Sequence, residues 1–296
     1  MSKMRNIILG LVALLFMSCT SQAKKEGINV VTVLNPNYNL LKYIAQDKVG
    51  VYNITPSGDS HNFEFTPQDI KNIQDSDVVF YNGLGIDDKV LDVVDNKDKF
   101  VQTTKNSNLI SLEDDHIHED DHHHEDSHSN GAYDPHVWLS INEYKTMGKV
   151  VLDELITIDP NNKDFYTNNF NEFSKRIDKI YNSYINDFES IVNKEFVSNH
   201  ASYGYLARDF GLVNSSLHDV NNHGEVNPKN LQSIVDIIRQ KNIKLIIGDK
   251  YETNKELETI SNETNITYKV VNNLENQGDY FTEYEELLSS IYDGLR

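Results

Sequence analysis

The stretch INVVTVLNPNYNLLKYIAQDKVGVYNITPSGDSHNFEFTPQDIKNIQDSDVVFYN, residues 28–82, decides the fold class. Its β-branched runs INVVTVLN (28–35), VGVYNIT (49–55) and DVVFYN (77–82) are strand-like, and residues 38–48 and the segment opening at TPQDI (66–70) are helical in pattern. Thr66 suits a helix N-cap, with Pro67 at the first helical position and Asp69 in the first turn, where a carboxylate meets unbonded N–H groups. Strand and helix in strict alternation predict a parallel sheet with crossover helices.

Further along, the alternation is interrupted by EDDHIHEDDHHHEDSH (113–128) and resumes differently. From Asp159-Pro160, apolar residues fall at Phe170, Phe173, Ile177, Ile180, Tyr184, Phe188 and Ile191, spacings of three and four. That single stripe predicts one long helix of roughly thirty residues, about 45 Å in length. Beyond it the alternation returns: EFVSN (195–199), a helix from Ala201, GLVNSSL (211–217), a helix from Asn227-Pro228, IKLIIG (243–248), a helix over 253–264, ITYKVV (266–271) and a terminal helix from Tyr280. The expected architecture is α/β, two lobes each with a parallel-type sheet flanked by helices, joined by one long backbone helix. The expected boundaries are a leader at 1–18, a tether at 19–27, a first lobe at 28–158 containing a His/acid-rich loop at 113–130, the joining helix at 159–193 and a second lobe at 194–296. A rigid strut along both lobes restricts hinge opening, so large closure is not expected.

Composition narrows the function. The 296 residues carry 46 carboxylates against 27 Lys and Arg, a formal net charge of −19. Such acidity argues against a nucleic-acid or anionic-membrane surface and favours cations as partners. With one cysteine the chain forms no internal disulfide and no Cys-rich zinc site, so a metal site must use His, Asp and Glu.

The cysteine ends MSKMRNIILGLVALLFMSC (1–19), in which Lys3 and Arg5 precede an apolar run from Ile7 to Met17. That run falls short of the roughly 20 residues a membrane-spanning helix needs and fits a signal-peptide core. Leu15-Phe16-Met17-Ser18-Cys19 resembles a bacterial lipobox, with Phe16 where Leu is usual. The resemblance implies cleavage before Cys19, lipidation of its thiol, and a mature protein tethered to a membrane outside the cytoplasm by TSQAKKEG (20–27).

Five histidines lie outside the acidic segment: His61, His136, His200, His218 and His223. His61 lies in the loop after the second strand and His200 directly follows EFVSN, at the carboxyl edges where open α/β sheets bind ligands. His136 sits in Asp134-Pro135-His136-Val137-Trp138-Leu139, where proline stiffens the approach and apolar residues can pack behind the imidazole. Asp279 follows the last strand and Gly278, a carboxylate at the corresponding edge.

GDSHNFEFTPQDI (58–70), VVFYNGLGID (78–87), DPHVWLS (134–140), HASYGYLARDFGL (200–212) and GDYFTEYEELL (278–288) resemble, in order and spacing, the metal-binding lipoproteins of bacterial ABC importers for zinc and manganese. The resemblance covers almost the whole mature chain. It implies one metal between the lobes, held by His61, His136, His200 and Asp279, the family's fourth position being filled by this carboxylate, another one or a water, with the chain acting as a monomeric receptor that delivers its cargo to a permease in the cytoplasmic membrane rather than as an enzyme. Three imidazoles and one carboxylate suit Zn²⁺, whereas manganese prefers more oxygen. The third position, His200, resembles a Glu in the manganese members. Two departures from the family pattern, Glu64-Phe65 in place of Glu-Pro and Ile86-Asp87 in place of an apolar residue and Glu, imply altered packing near the site. His218 and His223 match no ligand segment and are expected in surface loops.

Residues 113–128 contain eight acids, one apolar side chain and six histidines, His116, His118, His122, His123, His124 and His128. Such a segment buries too little to offset its ordering entropy and is expected to be disordered. Its composition suits a weak, multidentate metal collector. Three alternatives to a zinc receptor are a manganese receptor, a secreted zinc hydrolase, which would need an open coordination position for water, and a surface adhesin, which would bind a host ligand independently of metal.

Overall fold

The computed structural model describes residues 27–56, 63–112, 133–220 and 228–296. Strand β1 (Asn29–Leu34) is buried almost throughout, as a parallel strand covered by helices on both faces must be. It lies between β2 (Gly50–Thr55) and β3 (Val78–Tyr81), so that Val30 faces both Val51 and Val78. The short strand β4 (Phe100–Gln102) completes a parallel sheet of order β2-β1-β3-β4. Three residues are too few to leave a periodic signature in the sequence, and β4 went unforeseen.

The second lobe repeats the plan. Its strands β5 (Glu195–His200), β6 (Val213–His218), β7 (Ile246–Asp249) and β8 (Tyr268–Val271) form a parallel sheet of order β6-β5-β7-β8. In each sheet the chain leaves the first strand to one side and later crosses to the other, which opens a crevice at the carboxyl edge. The two-lobed α/β architecture read from the sequence is the one observed.

Helix α1 (Asn35–Ile44) starts three residues before the expected 38 because Pro36, with its preset φ, lies in its first turn. Helix α2 (Pro67–Asp75) is capped as its sequence requires: Thr66 Oγ1 accepts the Asp69 N–H at 3.2 Å and Asp69 accepts the Thr66 N–H at 2.7 Å. Helix α3 (Ile141–Ile158) occupies a region to which the pattern reading assigned no element. Most of its buried positions, Ile141, Tyr144, Met147, Gly148, Val151, Leu152 and Leu155, follow a helical period, with Val150 buried beside them. The nearly continuous apolar run around Val150 blurs that period.

After a 3₁₀ turn at Pro160–Asn162 comes the joining helix α4 (Lys163–Glu189), 27 residues and about 40 Å long. Of its stripe, Phe173, Ile177, Ile180 and Phe188 are buried, with Ile191 just beyond the helix end, while Phe170 and Tyr184 are half-buried. Each fully buried side chain contributes about 1.5–3 kcal/mol, an upper figure. Helices α5 (Gly204–Phe210), α6 (Pro228–Lys241), α7 (Lys255–Thr264) and α8 (Tyr280–Leu295) complete the second lobe.

Where the core sits decides how the lobes behave. One buried apolar cluster runs from β1 through α1, α3 and α4 into α5 and α8, so the lobes share a core along the strut. A smaller cluster around Val197, Ile246, Leu257 and Ile260 belongs to the second lobe alone. The terminal helix is driven into the first lobe by tyrosines: Tyr280 stacks on Tyr144 with centroids 3.6 Å apart, and Tyr280 and Tyr284 donate to the carbonyls of Trp138 and Leu139 at 2.8 and 3.0 Å.

Candidate metal centre

Asp134-Pro135-His136 builds the first side of the site from local chemistry. His136 is fully buried, and Asp134 Oδ1 accepts both its backbone N–H at 2.9 Å and its ring Nδ1–H at 2.8 Å. A 3₁₀ turn over the buried residues Val137–Leu139 holds the backbone, and the Trp138 ring meets the imidazole edge-on at 5.3 Å. With Nδ1 committed to Asp134, the Nε2 lone pair is left toward His200 and Glu275, the tautomer a metal ligand requires. Burial by itself favours the neutral ring, but the charge and hydrogen bond of Asp134, aided by Glu275 and Glu252, outweigh it and raise the His136 pKa.

His200, the last residue of β5, brings its ring from the other lobe at 5% exposure. Its Nε2 lies 3.3 Å from that of His136. Two nitrogens at about 2.0–2.1 Å from a tetrahedral Zn²⁺ are about 3.3–3.4 Å apart, so the separation suits one shared cation. Glu275 Oε1 lies 3.8 Å from His136 Nε2, and Glu275 is 8% exposed. Among the described residues alone, no group of three or more His, Cys, Asp or Glu is arranged to hold a metal ion. His136, His200 and Glu275 by themselves are therefore not a complete metal site.

The surroundings are acidic. Asp249, at the end of β7, lines with His200 and Glu252 a narrow cleft closed by Asn199, Ser202, Tyr203 and Asn273. Burial, with Glu275 and Glu252 nearby, lifts the Asp249 pKa to about 7, although the N–H groups of Tyr251 and Asn273 donate to it at 2.7 and 3.2 Å. Bringing a divalent cation into this cluster relieves the repulsion among its carboxylates.

Asp279 has other work. Its carboxylate caps α8, accepting the Thr282 N–H at 3.0 Å and hydroxyl at 2.8 Å, and it accepts the Tyr43 phenol, with Arg176 Nη2 at 3.8 Å. Burial opposes its ionisation, but these donors and the Arg176 charge outweigh that and hold its pKa low. The carboxylate against His136 is instead Glu275, four residues earlier. Asn272 and Asn273 fold the chain back after β8 by accepting the N–H groups of Leu274 and Glu275 at 2.8 and 3.1 Å, which turns Glu275 toward the cleft. The signal that could have found it is this Asn-Asn-Leu-Glu turn at the carboxyl edge of the last strand.

His218 is not in a loop, as expected, but ends β6, half-buried and in register with His200 on the neighbouring strand. Near the site, Asp87 is fully buried and accepts the N–H groups of Asn82 and Gly83 at 2.8 and 2.7 Å, while Asn82 donates to the Pro135 carbonyl at 3.0 Å. Gly83 takes φ +83° there, a conformation that favours glycine. Phe65 packs edge-on to Phe63 at 5.3 Å, and Lys89 sits 3.8 Å above the Phe63 ring while donating to the Phe63 carbonyl. His61, His223, Cys19 and the six histidines of the acidic segment (His116, His118, His122, His123, His124 and His128) lie outside the described residues.

A family model described as zinc-uptake complex component A, periplasmic, matches residues 30–296. The high-affinity zinc uptake system protein ZnuA of Bacillus subtilis is 30% identical over 286 residues, covering 94% of this chain and 89% of that protein. The manganese ABC transporter substrate-binding lipoprotein PsaA of Streptococcus pneumoniae serotype 4 is 25% identical, covering 98% and 97%. Among solved structures, the laminin binding protein Lmb of Streptococcus agalactiae, described as bifunctional with adhesin and metal transporting activity, superimposes with a TM-score of 0.80 at 25% identity, covering 91% of this chain and all of that one.

Proposed function

Because the chain belongs to the zinc-uptake component A family of metal-binding ABC-transporter receptors, which are not enzymes, we propose that it is a zinc receptor holding one Zn²⁺ between its lobes with His61, His136, His200 and Glu275. The observation that carries this reading is the pair of Nε2 atoms 3.3 Å apart with a buried carboxylate at 3.8 Å. Nitrogen outnumbers oxygen in this donor set, which favours zinc over manganese.

In this reading Asp134 holds the His136 tautomer, the shared core keeps the two sheet edges facing, and Asp249, Glu252 and Glu275 supply the negative field that draws in a dehydrating cation. No proton or bond is exchanged beyond displacement of water and imidazole protons. Residues 113–128 act as a low-affinity collector upstream of the tight site. Cys19 carries the lipid that keeps the monomeric receptor beside its permease on the outer face of the cytoplasmic membrane. Among the described residues no helix is long and apolar enough to cross a membrane.

Metal analysis of protein purified without added metal, followed by competition between Zn²⁺ and Mn²⁺, tests the proposal. Zinc is expected to copurify and to displace manganese; retention of manganese against equimolar zinc overturns it. Manganese is the second reading, favoured by the resemblance to PsaA. Removing 113–128 is expected to leave one tight zinc equivalent and abolish the weak ones, and calorimetry showing unchanged stoichiometry would remove the collector.

A further inference from the structure

Helix α1 carries an unusual buried face. Asn35, Asn39 and Tyr43 recur at intervals of four and so lie along one side, where an interior helix ordinarily presents aliphatic residues. Asn35 and Asn39 are 4% and 7% exposed. All three reach the same short segment of the other lobe. Asn35 Nδ2 donates to the Asn276 carbonyl at 2.5 Å, Asn39 Nδ2 donates to the Gly278 carbonyl at 3.2 Å, and the Tyr43 hydroxyl donates to the Asp279 carboxylate. Trp138 Nε1–H, also from the first lobe, donates to the Asn273 carbonyl at 3.2 Å.

The segment so held, 273–279, carries Glu275. Within it Leu274 takes φ +70°, a region that a side chain of this size rarely adopts and that persists only where surrounding contacts enforce it. Glu275 thus belongs by sequence to the second lobe, and its own turn shapes its backbone, but the chain on both sides of it is also tied to the first lobe. His136, by contrast, is fixed by Asp134 and its own turn.

We propose that the Asn35–Asn39–Tyr43 stripe of α1 is the positioning element that keeps Glu275 on the metal, so that shifting α1 from segment 276–279 withdraws the carboxylate and speeds release of the cation. The proposal rests on Glu275 being a ligand. Freed from α1, the strained turn at Leu274 relaxes and the carboxylate loses its place beside His136, while both imidazoles stay where they are.

The test uses the full chain loaded with Zn²⁺ or with Co²⁺ as a spectroscopic probe. Asn35→Asp keeps the side-chain volume but removes the donor, and is expected to raise the zinc dissociation rate, read by stopped-flow transfer to a chelator, about 10- to 100-fold. Its Co²⁺ absorption spectrum is expected to move toward that of Glu275→Gln. In a Glu275→Gln background the same substitution is expected to add nothing, the non-additivity that marks one linkage. A wild-type dissociation rate in Asn35→Asp, or an acceleration undiminished by Glu275→Gln, overturns the proposal. Tyr43→Phe, which keeps the ring on Phe173 and Phe281, carries the same test should Asn35→Asp not fold. Glu275→Gln without effect on zinc affinity or the Co²⁺ spectrum overturns the ligand assignment itself, whereas a damaging Glu275→Gln beside a silent Asn35→Asp overturns the coupling alone.

Discussion

The two lobes share one strand order, yet they hold their metal-facing residues in opposite ways. In the first lobe His136 is locked by neighbours in sequence: Asp134 two residues away takes both its N–H groups, and the Val137–Leu139 turn closes behind it. In the second lobe Glu275 stands on a turn with a left-handed leucine and is secured by α1 and Trp138 across the cleft. One candidate ligand is built locally and the other leans on the opposite lobe. A receptor needs both tight capture and a route to release, and in the proposal above the carboxylate held across the lobes is the ligand that moves first.

The largest expected break in that contrast is His136→Ala. It deletes a fixed ligand and leaves the Asp134 carboxylate buried without its partner, so zinc affinity by competition titration should fall by several orders of magnitude. Acid comes next. Protons compete with zinc for each imidazole, and Asp134 raises the His136 pKa, so affinity should begin to fall above the ordinary histidine range of about 6.5 and drop steeply below it. Affinity unchanged between neutral pH and pH 5 would exclude imidazole ligation.

Asp134→Asn sharpens the comparison further. The amide cannot hold the imidazole in the same way, and an outer partner of this kind is expected to contribute about 10- to 100-fold in affinity while the protein stays folded. The smallest effect belongs to His218→Ala. Although His218 is the register neighbour of His200, it is not among the proposed ligands, and affinity should change by less than about twofold, near the limit of a good titration. Equal damage from His218→Ala and His200→Ala would redraw the site.

The lobes also offer a matched pair of buried aspartates, Asp87 and Asp249, each accepting two backbone N–H groups and each with a pKa lifted to about 7, chiefly by burial. A carboxyl whose folded pKa lies above its unfolded value holds its proton more tightly when folded. Its contribution to stability is therefore full below about pH 4 and is lost as pH rises through about 7. For Asp87, which is not itself among the proposed ligands, Asp87→Asn should flatten that part of the stability profile measured by urea unfolding between pH 4 and 8. An unaltered slope would mean that Asp87 is ionised in the fold.

How much of this was legible in the sequence depends on the range of the interaction that decides each feature. The capped start of α2 was readable because Thr66, Pro67 and Asp69 act within one turn, and the α4 stripe because its period is local. His136 was readable for the same reason. The carboxylate beside it was not, because Asp279 and Glu275 both follow β8 and only the turn made by Asn272 and Asn273 determines which of them lies against His136.

The sequence by itself determined the alternation of strands and helices, the joining helix, the histidine and carboxylate inventory that a lone cysteine imposes, and the family resemblance those motifs carry. Tertiary structure alone decided that His136 and His200 meet at 3.3 Å, that Glu275 rather than Asp279 lies against His136, and that α1 hydrogen-bonds to the chain just beyond it. The physical reason is separation along the chain. Periodicity and capping are settled among neighbours, whereas Asn35 and Asn276 stand 241 residues apart and meet only once both lobes have closed around a common core.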